Sequence, residues 1–222
     1  MNATDRKRIA ALFPGRFDRN YVASKLQTDP LYAALAREIQ DSPLPLLDLG
    51  CGLGLVAFYL RLSGVTVAIT GIDYDRRKIA TAERAAATFG NEGLSFAFHD
   101  LQSGIPAHEG NLCVLDILQY FTPAEQQTLL ESAASRVAPG GKLIIRSGLR
   151  DRSVRFKITV LGDLLAKATF WMKGAPKHYP TAEDFQRLLS PHGEVRITSL
   201  WGGTPFNNHL IVLKKSAAPE NR

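Results

Sequence analysis

Asp48, Gly50, Gly52 and Gly54 alternate along the chain between two apolar runs, Leu46-Leu47 and Leu55-Val56-Ala57-Phe58. Glycines at such spacing let backbone approach a ligand closely, and a helix opening just after them turns its N-terminal N–H groups toward a carboxylate or phosphate. A dinucleotide fingerprint needs glycine three residues after Gly52, and Leu55 stands there instead. Asp73 ends the apolar segment 67–72, where a carboxylate can accept from both hydroxyls of a ribose. Tyr74 beside it offers a ring face to a base. Asp100, followed by Leu101, can accept from an exocyclic amine while a neighbouring backbone N–H donates to a ring nitrogen. In this order the residues suit a nucleotide-like ligand.

The elements that must hold them alternate in type. Apolar runs predict strands at 46–49, 65–72, 94–98, 112–117 and 142–146, with helical patterns near 55–62, 76–89 and 124–137. The last of these helices opens Thr122-Pro123-Ala124-Glu125, a capping box with proline at the first turn. Such alternation predicts an α/β fold, a parallel sheet with helices on both faces. The first forty-odd residues read as helical: Asp29 caps a helix begun by Pro30, Leu31, Leu35 and Ile39 share a face, and Pro43 and Pro45 end it. Beyond 146 a long helix is predicted over 153–173, with Val154, Ile158, Leu161, Leu165, Ala168 and Met172 in one stripe. A second is predicted over 181–189, with Thr181 as cap and Glu183 and Asp184 in its first turn. Strands at 194–200 and 208–214 flank Gly202-Gly203-Thr204-Pro205.

With 222 residues, 45% of them hydrophobic, the chain can bury one sizeable core. The reading is therefore one domain over 1–222: a helical extension at 1–45, a ligand-binding core at 46–146, a lid and acceptor-site insertion at 147–192, and closing strands at 193–215. The formal charge of +6 and pI near 9.4 are spread without a long basic run, and solubility accounts for them. No basic stripe with stacking aromatics marks a nucleic-acid surface. Two cysteines, Cys51 and Cys113, exclude a disulfide framework and offer no metal-ligand spacing, so no metal is expected. The basic start, Arg6-Lys7-Arg8, lacks the apolar stretch of a signal peptide, and the apolar segment 49–60 is too short to span a membrane. A cytoplasmic protein is expected.

Taken together, the segment 46–146 resembles the class I, Rossmann-like methyltransferases that use S-adenosyl-L-methionine and release S-adenosyl-L-homocysteine. Val137-Ala138-Pro139-Gly140-Gly141-Lys142-Leu143 looks like the turn before that family's fifth strand, and the two last strands look like its final antiparallel pair. The resemblance implies a three-layer α/β/α fold, mostly parallel. It implies that Gly50, Gly52 and Gly54 border the methionine part, Asp73 the ribose, and Asp100 with Leu101 the adenine. Asp48 orders the glycine turn or meets the methionine amino group, and Tyr21 and Lys25 reach its carboxylate. The stretch Leu115-Asp116-Ile117-Leu118-Gln119-Tyr120 faces the methyl group, with Ile117 toward the cofactor; Gln119 replaces a histidine that many relatives carry.

Methyl transfer is an in-line displacement in which a general base is optional. His178 and Tyr179, ahead of the Thr181 helix, together with Tyr120 and Asp116, are the candidates to take a proton from the acceptor. Trp171, Trp201 and Phe206 can wall an aromatic pocket. The lid helix presents Arg155, Lys157, Lys167 and Lys173 mostly off its apolar stripe, either as a solvated face or as a rim for an acidic carrier or membrane surface. More narrowly, Tyr21-Val22-Ala23-Ser24-Lys25-Leu26-Gln27-Thr28-Asp29-Pro30 and Thr204-Pro205-Phe206-Asn207-Asn208-His209-Leu210 resemble methyltransferases encoded with aryl polyene biosynthesis. That resemblance implies a phenol-bearing acyl acceptor, presented by an acyl carrier protein, methylated at carbon or oxygen. RNA or protein methylation, and cofactor binding without catalysis, are the competing classes. The oligomeric state is left open.

Overall fold

A computed structural model describes residues 2–90, 92–168 and 176–217. They fall into two compact units, Met1–Ser103 and Gly104–Arg222.

The first unit opens with α1 (Ala3–Ala11), α2 (Arg16–Thr28) and α3 (Leu31–Ile39). Pro30, expected as the first residue of α3 with Asp29 as its cap, is itself the N-cap of that helix; Asp29, one residue earlier, closes α2, and its Oδ1 accepts the Leu31 N–H at 3.0 Å. There follow β1 (Leu46–Leu49), α4 (Leu55–Leu62), β2 (Ile69–Asp73), α5 (Arg76–Phe89) and β3 (Leu94–Phe98). The three strands are parallel, with β2 in the middle. β2 begins at Ile69, later than the expected 65, because Val65 finishes α4: its N–H donates to Leu60 O at 3.0 Å, and Arg61 Nη1 donates to its carbonyl at 2.6 Å. Phe58 of α4 is fully buried and meets the rings of Phe89, Phe96 and Phe13 at centroid distances of 5.3, 5.9 and 6.4 Å. These aromatic edges and faces make the centre of the unit's core.

In the second unit, β4 (Asn111–Leu115) and β5 (Lys142–Gly148) are parallel, joined through α6 (Pro123–Arg136). Then come α7 (Val154–Ala168), α8 (Ala182–Leu189), β6 (Glu194–Ser199) and β7 (Asn208–Lys214). β7 runs antiparallel to β5, and β6 antiparallel to β7. The predicted capping box of α6 forms, Glu125 N–H donating to Thr122 Oγ1 at 3.4 Å, and the predicted cap Thr181 of α8 proves to be part of a second box, Asp184 N–H donating to its Oγ1 at 3.2 Å. β4 stops at Leu115, short of the expected 117, because Asp116 enters the left-handed region with φ 60°. Seven strands, mostly parallel with an antiparallel C-terminal end, alternate with helices among the described residues, and this is the Rossmann-like α/β arrangement.

Val154, Ile158 and Leu161, part of the apolar stripe of the helix expected as a lid, are 70%, 36% and 57% exposed in α7, and Leu164 is 50% exposed. The opposite face packs, because polar ties select it. Asn207, buried, donates its N–H to Thr159 Oγ1 at 2.7 Å and its Nδ2 to Leu149 O at 2.8 Å and Asp151 Oδ2 at 2.9 Å. Arg155 belongs to this inner face and not to a rim: Nη1 donates to Thr204 O at 2.7 Å and the guanidinium lies 4.6 Å from the Trp201 ring centroid. Phe206 packs where Gly162 has no Cβ. The side chains of Leu165, Lys167 and Ala168, and all of Trp171, Met172 and Lys173, lie outside the described residues.

Gly71, in the middle of β2, is a test of this packing. A Cβ there would sit 2.8 Å from both Cys51 Sγ and the Phe96 ring. Gly71→Ala is expected to destabilise the protein by about 1–3 kcal/mol, the usual cost of overpacking. In a thermal melt that corresponds to a fall of roughly 3–10 °C.

Candidate functional site

In the first unit, the glycine turn folds back over the end of β2. Gly50 and Cys51 both donate their N–H groups to Ile72 O, at 2.8 and 2.9 Å. The next N–H, that of Gly52, donates to Asp73 Oδ2 at 2.9 Å, while Asp75 N–H donates to Asp73 Oδ1 at 2.7 Å. Each oxygen of the buried Asp73 carboxylate thus fixes one loop, and each keeps a lone pair for a ligand hydroxyl. Gly52 and Gly54 adopt φ of 57° and 74°, where a side chain would be strained. Their surroundings differ. A Cβ on Gly52 would meet nothing within 4 Å, so its backbone faces open space, whereas a Cβ on Gly54 would collide with Phe96.

Asp48 is buried beneath this turn. Burial, and then the charges of Asp48 and Asp73, push the Cys51 thiol well above its ordinary pKa, so it stays a neutral thiol. Tyr74 is 52% exposed, and its phenol is pushed up by partial burial and by Asp73, Asp75 and Asp100. Asp100 is exposed, its Oδ1 accepting Gln102 N–H at 3.0 Å as the chain enters a short 3-10 helix, Leu101–Ser103. Phe98, at 41% exposure, carries the Arg76 guanidinium 3.6 Å from its centroid. The sequence reading passed over that pair, although the position of Phe98 as the last residue of β3 was a signal. Tyr21 and Lys25 lie on adjacent turns of α2, with Nζ 5.8 Å from the Tyr21 centroid and 3.9 Å from the Asp29 carboxylate. The open backbone at Gly52, the spare lone pairs of Asp73 and the exposed rings of Tyr74 and Phe98 fit a nucleoside with an amino-acid tail.

In the second unit, polar groups gather where β4 and β5 end. Asp116 pairs with Arg146 of β5, Oδ1 to Nε 3.0 Å, and Asp116 N–H donates to Arg146 O at 3.1 Å. Gln119 Nε2 donates to Asp116 O at 3.1 Å and steadies its left-handed backbone. Ile117 is half-buried between them in chain order and opens the 3-10 turn Leu118–Tyr120. The loop before α8 is tied to that turn. Lys177 and His178 donate their N–H groups to Gln119 O at 2.7 and 3.3 Å. Gln126, buried on α6, donates Nε2 to Leu118 O at 2.7 Å and to His178 O at 3.0 Å. Tyr179, nearly buried, donates its hydroxyl to Asp163 Oδ2 of α7 at 2.7 Å and meets Phe156 edge-on at 5.3 Å. Burial, the Asp163 hydrogen bond and charge, and Tyr120 push the Tyr179 phenol far above its ordinary range. Asp163 is itself pushed up, by burial first; the Tyr179 hydrogen bond opposes this, Asp116 adds to it and Arg146 opposes it.

The structure thus brings Asp116, Tyr120, His178 and Tyr179 into one neighbourhood of the second unit. Asp163, Arg146 and Gln126 join them unannounced by the sequence reading. An acid inside the otherwise apolar run Val160-Leu161-Gly162-Asp163-Leu164-Leu165 was the available signal. Trp201 and Phe206 serve the lid, as described above, and His209 Nδ1 lies 3.1 Å from Asn207 O. Among the described residues no group of His, Cys, Asp and Glu is placed to hold a metal, and no helix is long and apolar enough to cross a membrane.

Residues 46–141 match the family described as "Methyltransferase domain". Carboxy-S-adenosyl-L-methionine synthase of Sodalis glossinidius is 25% identical over 162 residues, 72% of this chain and 63% of that protein. A 23S rRNA (uracil(747)-C(5))-methyltransferase of Vibrio cholerae is 40% identical over 85 residues, 35% of this chain and 22% of that protein. The chain spans less than two thirds of the length of these relatives. Among solved structures, magnesium protoporphyrin IX methyltransferase from Synechocystis, with S-adenosyl-L-homocysteine bound, shares the fold at TM-score 0.65. It is 18% identical, and the match covers 96% of this chain and 93% of that one.

Removing the Asp73 carboxylate should reach the fold as well as any ligand. Asp73→Ala strands the N–H groups of Gly52 and Asp75, and an unsatisfied buried donor costs about 1–3 kcal/mol. A melting point lower by about 5 °C or more is expected. Asp73→Asn, which keeps an acceptor oxygen, should lose less.

Proposed function

Residues 46–141 matching a methyltransferase domain, we propose that the protein is a class I methyltransferase that takes its methyl group from S-adenosyl-L-methionine and passes it to a small acceptor bearing a phenolic hydroxyl. The acceptor comes free or as an acyl unit on an acyl carrier protein. The observation that carries the cofactor half is the Asp73 carboxylate, buried and bonded to the Gly52 N–H, beside backbone open on the Gly52 side. Gly50, Gly52 and Gly54 border the methionine portion, with Asp48 behind them. Asp73 accepts from the ribose hydroxyls, and Tyr74, Asp100 and Leu101 take the adenine. Tyr21 and Lys25 reach for the carboxylate, Lys25 exchanging Asp29 for it.

The cofactor supplies an electrophilic methyl group, and the chain must align the acceptor and handle its proton. The acceptor half of the proposal rests on Phe156 and Tyr179 packed edge-on, which suit an aromatic ring, with the polar groups Asp116, Tyr120 and His178 in the same unit. S-adenosyl-L-methionine should bind in calorimetry and NAD should not. Incubation with isotopically labelled cofactor should then place label on a phenolic acyl thioester, read by mass spectrometry. Label found in rRNA or protein alone would replace the small-molecule reading, and bound cofactor with no transfer to any class would make the protein a binding module.

The carrier is supported by the exposed apolar side chains Val154, Ile158, Leu161 and Leu164, with Arg150, Arg152 and Lys157 exposed near them. Basic and apolar side chains in one patch match the acidic surface and acyl cargo of a carrier protein. Charge reversal at Arg152 and Lys157 should raise KM for a carrier-bound acceptor, more so at low salt, and leave turnover of the free thioester unchanged. Equal effects on both acceptors would remove the carrier from the proposal.

A further inference from the structure

We infer that Asp163 of α7 is the group that takes the acceptor's hydroxyl proton, with Tyr179 as the residue that positions it; this rests on the phenolic reading above. Three observations carry it. Asp163 is bonded to Tyr179, whose loop is tied to the turn after β4 by the Lys177 and His178 N–H groups on Gln119 O and whose ring lies 3.7 Å from where a Cβ on Gly148, the last residue of β5, would sit; ligands of open α/β sheets gather at that edge. Its Oδ2 accepts the Tyr179 hydroxyl at 2.7 Å, which fixes the carboxylate, while Oδ1 accepts no hydrogen bond from a described residue. Tyr179, held protonated, has the donor's part in this pair and leaves the acceptor's part to Asp163.

Among the described residues the groups acting on Asp163 are Tyr179 from the loop before α8, Asp116 after β4 and Arg146 on β5, with Tyr120 acting on Tyr179. Burial raises its proton affinity above that of a surface carboxylate, which makes it a better base for a weakly acidic hydroxyl. In transfer to oxygen the bond from the acceptor oxygen to the methyl carbon forms as the carbon–sulfur bond breaks, its pair remaining on sulfur. The O–H bond breaks and its proton passes to Asp163 Oδ1, then to water.

The test reads the same group twice. Carbon-13 NMR of carboxyl-labelled aspartate, in the protein without cofactor, follows the signal that is lost in Asp163→Asn. It should titrate above the usual carboxylate range. Tyr179→Phe removes a hydrogen bond that favours the charged form, so the midpoint should rise by roughly 0.5–1 unit. Asp116→Asn removes a like charge and should lower it. With the N-acetylcysteamine thioester of 4-hydroxybenzoic acid as acceptor, the acid limb of kcat/KM should follow these shifts. Asp163→Asn should lose the limb and about 100-fold or more in kcat, with KM nearly unchanged. Asp163→Glu, with melting curves alongside, guards against a folding defect and should recover part of the rate. An ordinary midpoint that neither variant moves, or an Asp163→Asn profile equal to that of the wild type, overturns the inference alone. A wild type that labels no phenol while Asp163 titrates as stated overturns the phenolic reading, and the inference falls with it.

Discussion

The first unit depends on a single carboxylate shared between two loops. Asp73 ends β2, and its two oxygens hold the N–H groups of Gly52, twenty-one residues back, and Asp75, two residues on. The first contact fixes how the glycine turn lies over β2. The second shapes the turn into α5, where Asp75 in its own right caps the helix by accepting from Arg77 N–H at 3.0 Å. Sterics confirm the tightness of the arrangement: neither Gly54 nor Gly71 has room for a methyl group against Phe96. Backbone open at Gly52 is held in place by neighbours that must stay small for packing.

Polar ties play the same part in the second unit. The exposed side of α7 is more apolar than the side that packs, which reverses the ordinary amphipathic rule. Thr159, Arg155 and Asp163 each make a specific hydrogen bond on the inner side, to Asn207, Thr204 and Tyr179 respectively. Once buried, such groups cost more unpaired than an exposed valine or leucine costs in water. The β6–β7 connection therefore decides the rotation of the helix, and with it the direction in which Asp163 points.

Those two cases mark what the sequence could and could not disclose. Period and punctuation announced the strands, the Thr122 capping box, the Thr181 cap and the order of Asp48, Gly52, Asp73 and Asp100, because each is a local pattern. Which side of α7 packs was not legible, because the 3.6-residue stripe of Val154, Ile158 and Leu161 carries no information about Asn207, nearly fifty residues on. Asp163 was passed over for the same reason: its partner lies sixteen residues away in a different element. Asp73 was read from the sequence as a ligand group, whereas its work on the Gly52 and Asp75 N–H groups has no sequence signature. Strand ends were misplaced where a side chain or a left-handed residue ended the pattern, as at Val65 and Asp116.

Asp73 and Asp163 show how one side-chain type is fitted to two kinds of work. Asp73 has backbone donors on both oxygens, so it is oriented twice over and any further bond it accepts adds to a fixed frame. Such a group suits recognition, where geometry matters and proton transfer would be a loss. Among the described residues Asp163 has one donor, a phenol that cannot follow a proton away, on one of its oxygens. Burial raises its affinity for a proton, and Asp116 and Arg146 act on it with opposite signs. A carboxylate held at one oxygen and open at the other can gain and release a proton without dismantling its support. The number and kind of donors on each carboxylate, more than its position in the chain, separates the proposed binding role from the proposed base.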